Sequence, residues 1–431
     1  MTSSAASGSD YDVIIIGAGA AGIGAGRRLA AAAMRFRILE ARGRIGGRAF
    51  TVTRDYPLDL GCGWLHSADI NPLTSLIEDI GFTIDRTLPA WGRASLDVGM
   101  SKEEQAEFRD AISAFHDKIE TEALKESDKP AAAFLEADNR FNPLIGAVTS
   151  YISGVEPDRL SSHDVARYAG SGVNWRVVEG YGAGIAALAR DLPITLDCPV
   201  RLLDHSRSVL RIETGDGTIT ARQAIVTLPT NLLAMETLKF VPALPEKIAA
   251  ASVLPLGLAD KVVLGLDDAF DLPKDGHLFG RADTTATASY HLRPFGRHLI
   301  EAYFAGHLAA DLEKEGDEAF FAFAEEQLVT LLGSALRKHL RRVSATAWGG
   351  DPFSRGSYSY ALPGHAEARR TLAEPVDDRI FFAGEACSVD LYSTAHGAYL
   401  TGIAAADAAI AAQSLAARAQ RPFASGIESP T

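Results

Sequence analysis

Asp12-Val13-Ile14-Ile15-Ile16-Gly17 runs straight into Ala18-Gly19-Ala20-Ala21-Gly22, and this stretch decides the fold. Its first residues are apolar and β-branched with no polar alternation, the pattern of a strand buried on both faces of a parallel sheet. An alanine-rich helix to about Ala33 follows, then a second strand from Phe36 to Leu39, closed by Glu40. Strand, G-x-G-x-x-G turn, helix, strand and an acid near the ~20-residue offset make a complete dinucleotide-binding βαβ unit. In such a unit Gly17 permits the tight turn, Gly19 lets backbone approach a pyrophosphate, and Gly22 allows close helix–strand packing. The helix opens at Ala20 and Ala21, so its unpaired N–H groups and positive dipole end face the phosphates. Glu40 is placed to accept hydroxyls of the adenosine ribose.

The rest of the composition bounds the class. A chain of 431 residues, 47% hydrophobic and 23% charged, supports two or three domain-sized units with real cores. Its net charge of −13 runs against a protein whose affinity comes from neutralised nucleic-acid phosphates. The acidity would suit a cationic substrate but is ordinary in soluble enzymes. Three distant cysteines, Cys62, Cys198 and Cys387, form neither a disulfide framework nor a zinc ribbon, so a reducing, cytoplasmic setting is expected. MTSSAASGSDYD lacks the basic and apolar regions of a secretory leader, and Thr401 to Ala417 falls short of a membrane span.

Beyond Thr83 the character changes. Residues 101–127 read as an amphipathic helix with Ser101 as N-cap and Glu104 completing a capping box. VVEGYGAGIAALARDL reads as a helix, and VLRIETGDGTITARQAIVTLP (209–229) as a hairpin turning at Gly215-Asp216-Gly217. Residues 258–266 and 298–304 are expected to be strands, 317–342 helical, and 379–384 a buried strand before a last helix. On that pattern Arg337-Lys338-His339-Leu340-Arg341-Arg342 is a solvated helix end rather than a nucleic-acid patch. His291 and His298 have no second ligand at metal spacing, so no metal site is expected.

Ala41-Arg42-Gly43-Arg44-Ile45-Gly46-Gly47-Arg48 follows Glu40 at once. A second glycine pair flanked by arginines is superfluous for a nicotinamide enzyme. A bound FAD requires it, because its two phosphates need charge and close backbone on the far side from the helix. This string resembles the second FAD motif of the flavin-containing amine oxidase superfamily, as does Phe381-Phe382-Ala383-Gly384-Glu385. Trp348-Gly349-Gly350-Asp351-Pro352-Phe353-Ser354-Arg355-Gly356-Ser357-Tyr358-Ser359-Tyr360, Asp260-Lys261-Val262-Val263-Leu264 and Thr394-Ala395-His396-Gly397-Ala398 are similar to strings of its polyamine oxidase and lysine-specific histone demethylase branches. Gly61-Cys62-Gly63-Trp64-Leu65-His66 resembles a G-x-x-W-x-H of animal-type polyamine oxidases.

The resemblance spans Asp12 to about Ile410, loosely over 83–177. It implies an α/β fold: a Rossmann-type FAD-binding domain (10–82, 178–235 and 346–415) interleaved with an α+β substrate domain (83–177 and 236–345), with flexible tails at 1–9 and 416–431. It implies Lys261 holding a water at flavin N5, Tyr358 as one wall of an aromatic cage, and Trp348 beside the flavin. The cage is open where Thr394 and Ala395 replace a second tyrosine, and His66 handles protons near the substrate nitrogen. Glu385 is implied near the ribityl–phosphate end, Val200 at the adenine, and Gly61 to Trp64 along the cofactor. The helix N-terminus at Thr394 to Gly397 is implied at the pyrimidine edge. Ser357 cannot form the thioether that a cysteine there makes, so FAD is expected to be non-covalent. Glu179 and Tyr181 are candidates for the same cavity.

The implied reaction is oxidation of a small amine or polyamine by hydride transfer to flavin N5, with oxygen as acceptor and peroxide as product. A desaturase of the same superfamily, an L-amino acid oxidase and a non-catalytic interaction module stay open as alternatives. No nucleic-acid or membrane partner is expected. The sequence leaves oligomeric state open, with a homodimer one reading.

Overall fold

The structure is a computed structural model that describes residues 9–93, 96–268 and 270–419. Its main sheet has eight strands. The apolar run forms the strand Tyr11–Ile16, flanked in parallel by Phe36–Leu39 and by Gly217–Val226, which in turn pairs in parallel with Ile380–Phe382. Leu210–Thr214 joins Gly217–Val226 as an antiparallel hairpin whose ends pair Thr214 with Gly217. The expected burial on both faces is met. Val13 and Ile15 enter a core with the helix Ala20–Ala31 and the last helix, Ala395–Ala419, while Ile14 and Ile16 enter a second core with Leu203, Ile212 and Phe382. Those two helices approach closely because a Cβ at Gly24 would lie 2.4 Å from the Tyr399 carbonyl oxygen.

This sheet continues past residue 235. Lys239–Val241 pairs in parallel with Leu202–Asp204, and the helix Pro245–Ser252 packs beside Ala368–Ala373. The last helix runs past 415 to Ala419. Residues 1–8 and 420–431 of the expected tails lie outside the described residues.

A second sheet of five antiparallel strands has the order Gly276–Phe279, Ser289–Leu292, Leu299–Ala305, Ala259–Leu266, Leu340–Ala345. One face carries Val262, Leu264, Tyr290, Ala302 and Phe304 into a core beneath the helices Gly306–Glu315 and Asp317–Leu332. Strand alternation puts Lys261, Tyr303 and Ser289 on the opposite face, in register across three strands. That face meets the first domain, where Val263 and Leu299 pack against Leu58 and Leu60. The helical layer contains Lys102–Glu122, with the Ser101–Glu104 capping box formed, and Asn142–Ser153.

Two expectations are corrected. The helix expected over 317–342 stops at Leu332, because Gly333 takes a positive φ of 94°. A 3-10 turn, Ser334–His339, and the strand Leu340–Ala345 follow. Arg341 and Arg342 therefore sit on a strand, paired with Asp55 and with Glu318 and Glu325. The helix expected from VVEGYGAGIAALARDL is reduced to Tyr181–Ala187. Strand Asn174–Val177 takes the residues before it, and Gly180 at φ +102° makes the turn.

Candidate active site

The parallel strands end together at Ile16, Leu39, Val226 and Phe382, and the first two glycine motifs close over that edge. The Gly17 N–H donates to the Leu39 carbonyl (2.8 Å), Thr227 N–H to Ile16 (3.0 Å) and Ala383 N–H to Val226 (3.0 Å). Gly17 has φ +108°, and a Cβ on it would lie 2.5 Å from Thr227 Oγ1. One on Gly22 would lie 1.9 Å from the Gly17 carbonyl oxygen. Gly19 and Gly46 form an isolated parallel bridge, with Gly46 N–H donating to Ala18 O at 2.9 Å. A Cβ on Gly19 would meet nothing closer than 3.9 Å, and one on Gly384 nothing within 4 Å.

Glu40 is buried, and its carboxylate accepts from Ala18 N–H (2.7 Å) and Arg42 N–H (2.9 Å). The Cys198 N–H donates to the Glu40 carbonyl (2.8 Å) and the Asp197 N–H to the Arg42 carbonyl (3.1 Å), which brings the segment leading to Val200 alongside Glu40, Ala41 and Arg42.

The three motif arginines differ. Arg42 is neutralised by Asp351 at 2.6 Å and Arg48 by Glu385 at 2.9 Å. Arg44 lies 3.8 Å over the Phe50 ring and donates to the Gly47 carbonyl. Among the described residues it makes no ion pair, and burial, with the Arg42 charge beside it, pulls its pKa down to about 10. An unpaired, partly buried guanidinium, a helix N-terminus and open space at Gly19 and Gly384 form a donor set that fits a dinucleotide pyrophosphate.

At the face of the second sheet, Lys261 Nζ donates to the carbonyls of Asp59 and Gly61, both at 2.8 Å. A Cβ on Gly63 would lie 3.3 Å from that nitrogen. Trp348 is buried, and its Nε1–H donates to the Leu60 carbonyl (3.1 Å). Its backbone N–H donates to Asp260 Oδ1 (3.0 Å), whose carboxyl is raised well above its usual range by burial and by neighbouring Glu313. Tyr358 donates to the Tyr151 carbonyl, and its hydroxyl lies 3.1 Å from that of Tyr303. The Tyr151 and Tyr303 rings meet edge to face at 6.0 Å. Burial pushes the Tyr303 phenol up to about 12 and that of Tyr358 well above its ordinary value. Lys261, Tyr303, Tyr358, Trp348, Gly61 and Gly63 are thus one neighbourhood.

Other candidates are tied differently. His66 Nδ1 lies 2.7 Å from Asn174 Oδ1, and burial lowers its pKa against that bond. His396 is lowered to about 4 by burial and then by His66, and its Nε2 is buried with no hydrogen-bond partner among the described residues. Thr394 caps the last helix, its Oγ1 accepting from Gly397 N–H at 3.0 Å. Trp64 meets Trp91 edge to face (ring centroids 4.3 Å apart) and lies under the Arg176 guanidinium (5.3 Å). Burial raises Cys62 to about 12. The expectation that Glu179 lines the cavity is not met, since it is exposed and bonded to Thr83. Tyr181 is buried in the first core.

Glu385 accepts from Arg48, from the Ser359 hydroxyl (2.6 Å) and from Ser393 N–H (3.1 Å). Although burial raises its pKa, Arg48, Ser359 and Arg369 hold it below its usual value. Arg369 is wholly buried, bidentate to Asp164 (2.7 Å twice) and bonded to Ser359 Oγ (2.9 Å). Sequence reading missed Arg369, Asp164, Tyr151 and Tyr303. Only Tyr303 left a signal, as a polar residue in phase with Glu301 on an otherwise apolar strand.

A mainly parallel sheet with paired glycine motifs, joined to an antiparallel sheet presenting a lysine and a tyrosine cluster, defines an α/β oxidoreductase. The model of the family of flavin containing amine oxidoreductases matches residues 20–410, and the chain belongs to that family. Polyamine oxidase 2 of Arabidopsis thaliana is 31% identical over 438 residues, 92% of this chain and 87% of that protein. Lysine-specific histone demethylase 2 of Homo sapiens is 28% identical over 445 residues, 91% of this chain and 52% of that protein. The solved structure of wild-type putrescine oxidase bound to putrescine shares the fold, with TM-score 0.72 and 19% identity over 93% of this chain and 99% of that one. The family implies a flavin cofactor and amine oxidoreductase chemistry. Among the described residues no helix is long and apolar enough to cross a membrane.

Proposed function

We propose that this protein is an FAD-dependent oxidase of small amines or polyamines. The observation that carries the reading is the convergence of Lys261, Tyr303 and Tyr358 beside the Gly61–Gly63 loop, next to an edge built for a dinucleotide. Gly17, Gly19, Gly22 and the opening residues Ala20 and Ala21 would hold the pyrophosphate from one side. Gly46, Gly47 and Arg44 would hold it from the other, with Arg42 and Arg48 fixing the loop through Asp351 and Glu385. Glu40, Ala41 and Val200 would take the adenosine end.

The flavin, when bound, would accept a hydride from the carbon next to the amine nitrogen and pass the electrons to oxygen, giving an imine and peroxide. Ser357 supports non-covalent binding, because its hydroxyl is bound to Ala259 N–H and O, both at 2.8 Å. The chain's own task is to bind the amine neutral. Free alkylamines have a pKa of ~10, and a site walled by Tyr358, Tyr303 and Trp348 disfavours the charged form by desolvation. Lys261 would hold the water that later hydrolyses the imine, since among the described residues its Nζ is held by two carbonyls and has room for a further hydrogen bond. His66, lowered by burial, is neutral at pH 7 and suited to accept a proton.

The test is anaerobic mixing of the flavin-loaded enzyme with a panel of amines, followed by peroxide assay on admitting air. Bleaching by at least one amine and stoichiometric peroxide are expected. No bleaching by any amine would overturn the reading and favour a carbon–carbon desaturase.

A further inference from the structure

The hydrogen-bond polarity around Tyr358 is fixed by the atoms present. Tyr358 has one hydroxyl proton, and it goes to the Tyr151 carbonyl, which can only accept. The contact of 3.1 Å between the Tyr303 and Tyr358 oxygens must therefore be donated by Tyr303. Once Tyr303 has given up its only proton, its oxygen is left as an acceptor. Each phenol is held protonated by burial, so this polarity persists through the working pH range.

Tyr303 stands directly across from Lys261 in the antiparallel register, on the same sheet face. Both residues, with Tyr358 and Tyr151, keep part of their surface accessible although the face is turned toward the first domain. The edge-to-face contact with Tyr151 holds the Tyr303 ring upright. The two glycines Gly154 and Gly257 fix the approach of these elements. A Cβ on Gly257 would lie 2.6 Å from the Gly154 carbonyl, while Gly257 N–H donates to Tyr358 O at 2.8 Å.

We propose that Tyr303 is the amine-orienting residue of the site, its phenolic oxygen accepting an N–H of the substrate opposite Lys261 while Tyr358 supplies the apolar wall. This rests on the amine-oxidase reading and deepens it. An acceptor there turns an N–H toward Tyr303 and favours primary and secondary amines over nitrogen centres without N–H.

The experiment uses flavin-loaded wild type and Tyr303→Phe, with Tyr303→Leu as a second variant should the first not accumulate. Spermidine, putrescine and benzylamine are mixed anaerobically to read the apparent Kd and limiting rate of flavin reduction. Hexylamine and hexyltrimethylammonium are titrated as competitors against the best of the three. Removing the hydroxyl should raise the Kd of substrate and hexylamine about tenfold or more, as for loss of a hydrogen bond to a charged or polarised partner. Hexyltrimethylammonium, with no N–H, should bind wild type and variant within about twofold. Equal losses for both competitors, or no loss for either, would overturn the assignment of Tyr303 while wild-type bleaching upholds the oxidase. Failure of all three amines to bleach wild type would overturn both.

Discussion

The proposed dinucleotide edge makes a sharp prediction from two glycines three residues apart. Gly22→Ala places a Cβ 1.9 Å from the Gly17 carbonyl oxygen and 3.0 Å from its carbon, both backbone atoms. Neither can swing aside, so the helix must move off the turn at a cost of about 1–3 kcal/mol, as for an overpacked core. Gly19→Ala is different. Gly19 has φ −78° and ψ −175°, which alanine adopts freely, and its Cβ would meet only Gly46 O at 3.9 Å and Gly47 Cα at 4.0 Å. Its stability cost should stay within about 1 kcal/mol, the scale of a helix N-cap change without a side-chain bond. That Cβ projects between the two glycine loops, where the pyrophosphate is proposed to lie. Gly19→Ala should therefore melt near wild type with flavin stripped, yet carry less flavin and rebind it at least tenfold more weakly. Gly22→Ala should lose stability with or without flavin. The assays are denaturant melts of stripped protein and fluorescence titration with FAD. Wild-type FAD affinity in Gly19→Ala, or a wild-type melt in Gly22→Ala, would refute the reasoning.

Replacing Asp164 by Ala leaves the Arg369 guanidinium buried and unpaired, so a loss of about 3–5 kcal/mol is expected in denaturant melts. Lys261→Met should retain flavin and its spectrum but slow turnover severalfold, read by stopped-flow reduction and reoxidation; unchanged rates would remove the lysine from the reaction. His396 has a folded pKa near 4, below its unfolded value, so protonation favours the unfolded chain. Its share of stability is full above about 6.5 and lost as pH falls toward 4, and His66 acts in the same direction. His396→Gln should flatten that acid limb of melts against pH. Gly257→Ala should displace Tyr358 and raise the amine Kd several-fold, with the flavin spectrum retained.

The fold was legible wherever the local signal coincided with its physical cause. DVIIIG is apolar on both faces because two cores enclose it, and Ser101 with Glu104 caps a helix through bonds the two residues make alone. Legibility failed where a single residue redirected the chain. Gly333 ends a helix, and beyond the 3-10 turn the run LRRVSA becomes a strand only by pairing Leu340 to Ala345 with Val262 to Leu266. Not every motif glycine faces the cofactor edge. A Cβ on Gly397 would lie 1.9 Å from Leu391 O, so that glycine is demanded by the chain's own backbone. Lys261, Trp348 and Tyr358 stand out in their strings, and the structure sets them in one neighbourhood. Tyr303 and Tyr151 do not stand out, because their placement comes from register and from a carbonyl contributed by a distant helix.

Much of the site's positional information lies in carbonyls rather than side chains. Lys261 is held by the Asp59 and Gly61 carbonyls, Trp348 by that of Leu60, and Tyr358 by that of Tyr151. Carbonyls are present in every residue, so what must be specified is where the backbone runs. Gly61 is fixed because a Cβ there would lie 1.8 Å from Arg48 O, which presses the Leu60–Gly63 run against the RGRIGGR loop. Leu58 and Leu60 pin the same run to Val263 and Leu299 across the domain boundary. The Asp59 carboxylate anchors it from a third side by accepting from the N–H groups of Tyr181 and Gly182 and from the Thr51 hydroxyl. Burial raises the Asp59 carboxyl while Lys261 and those donors favour its charged form. Motifs rich in glycine with few functional side chains follow from this design, because the glycines permit the approach and the peptide units make the contacts.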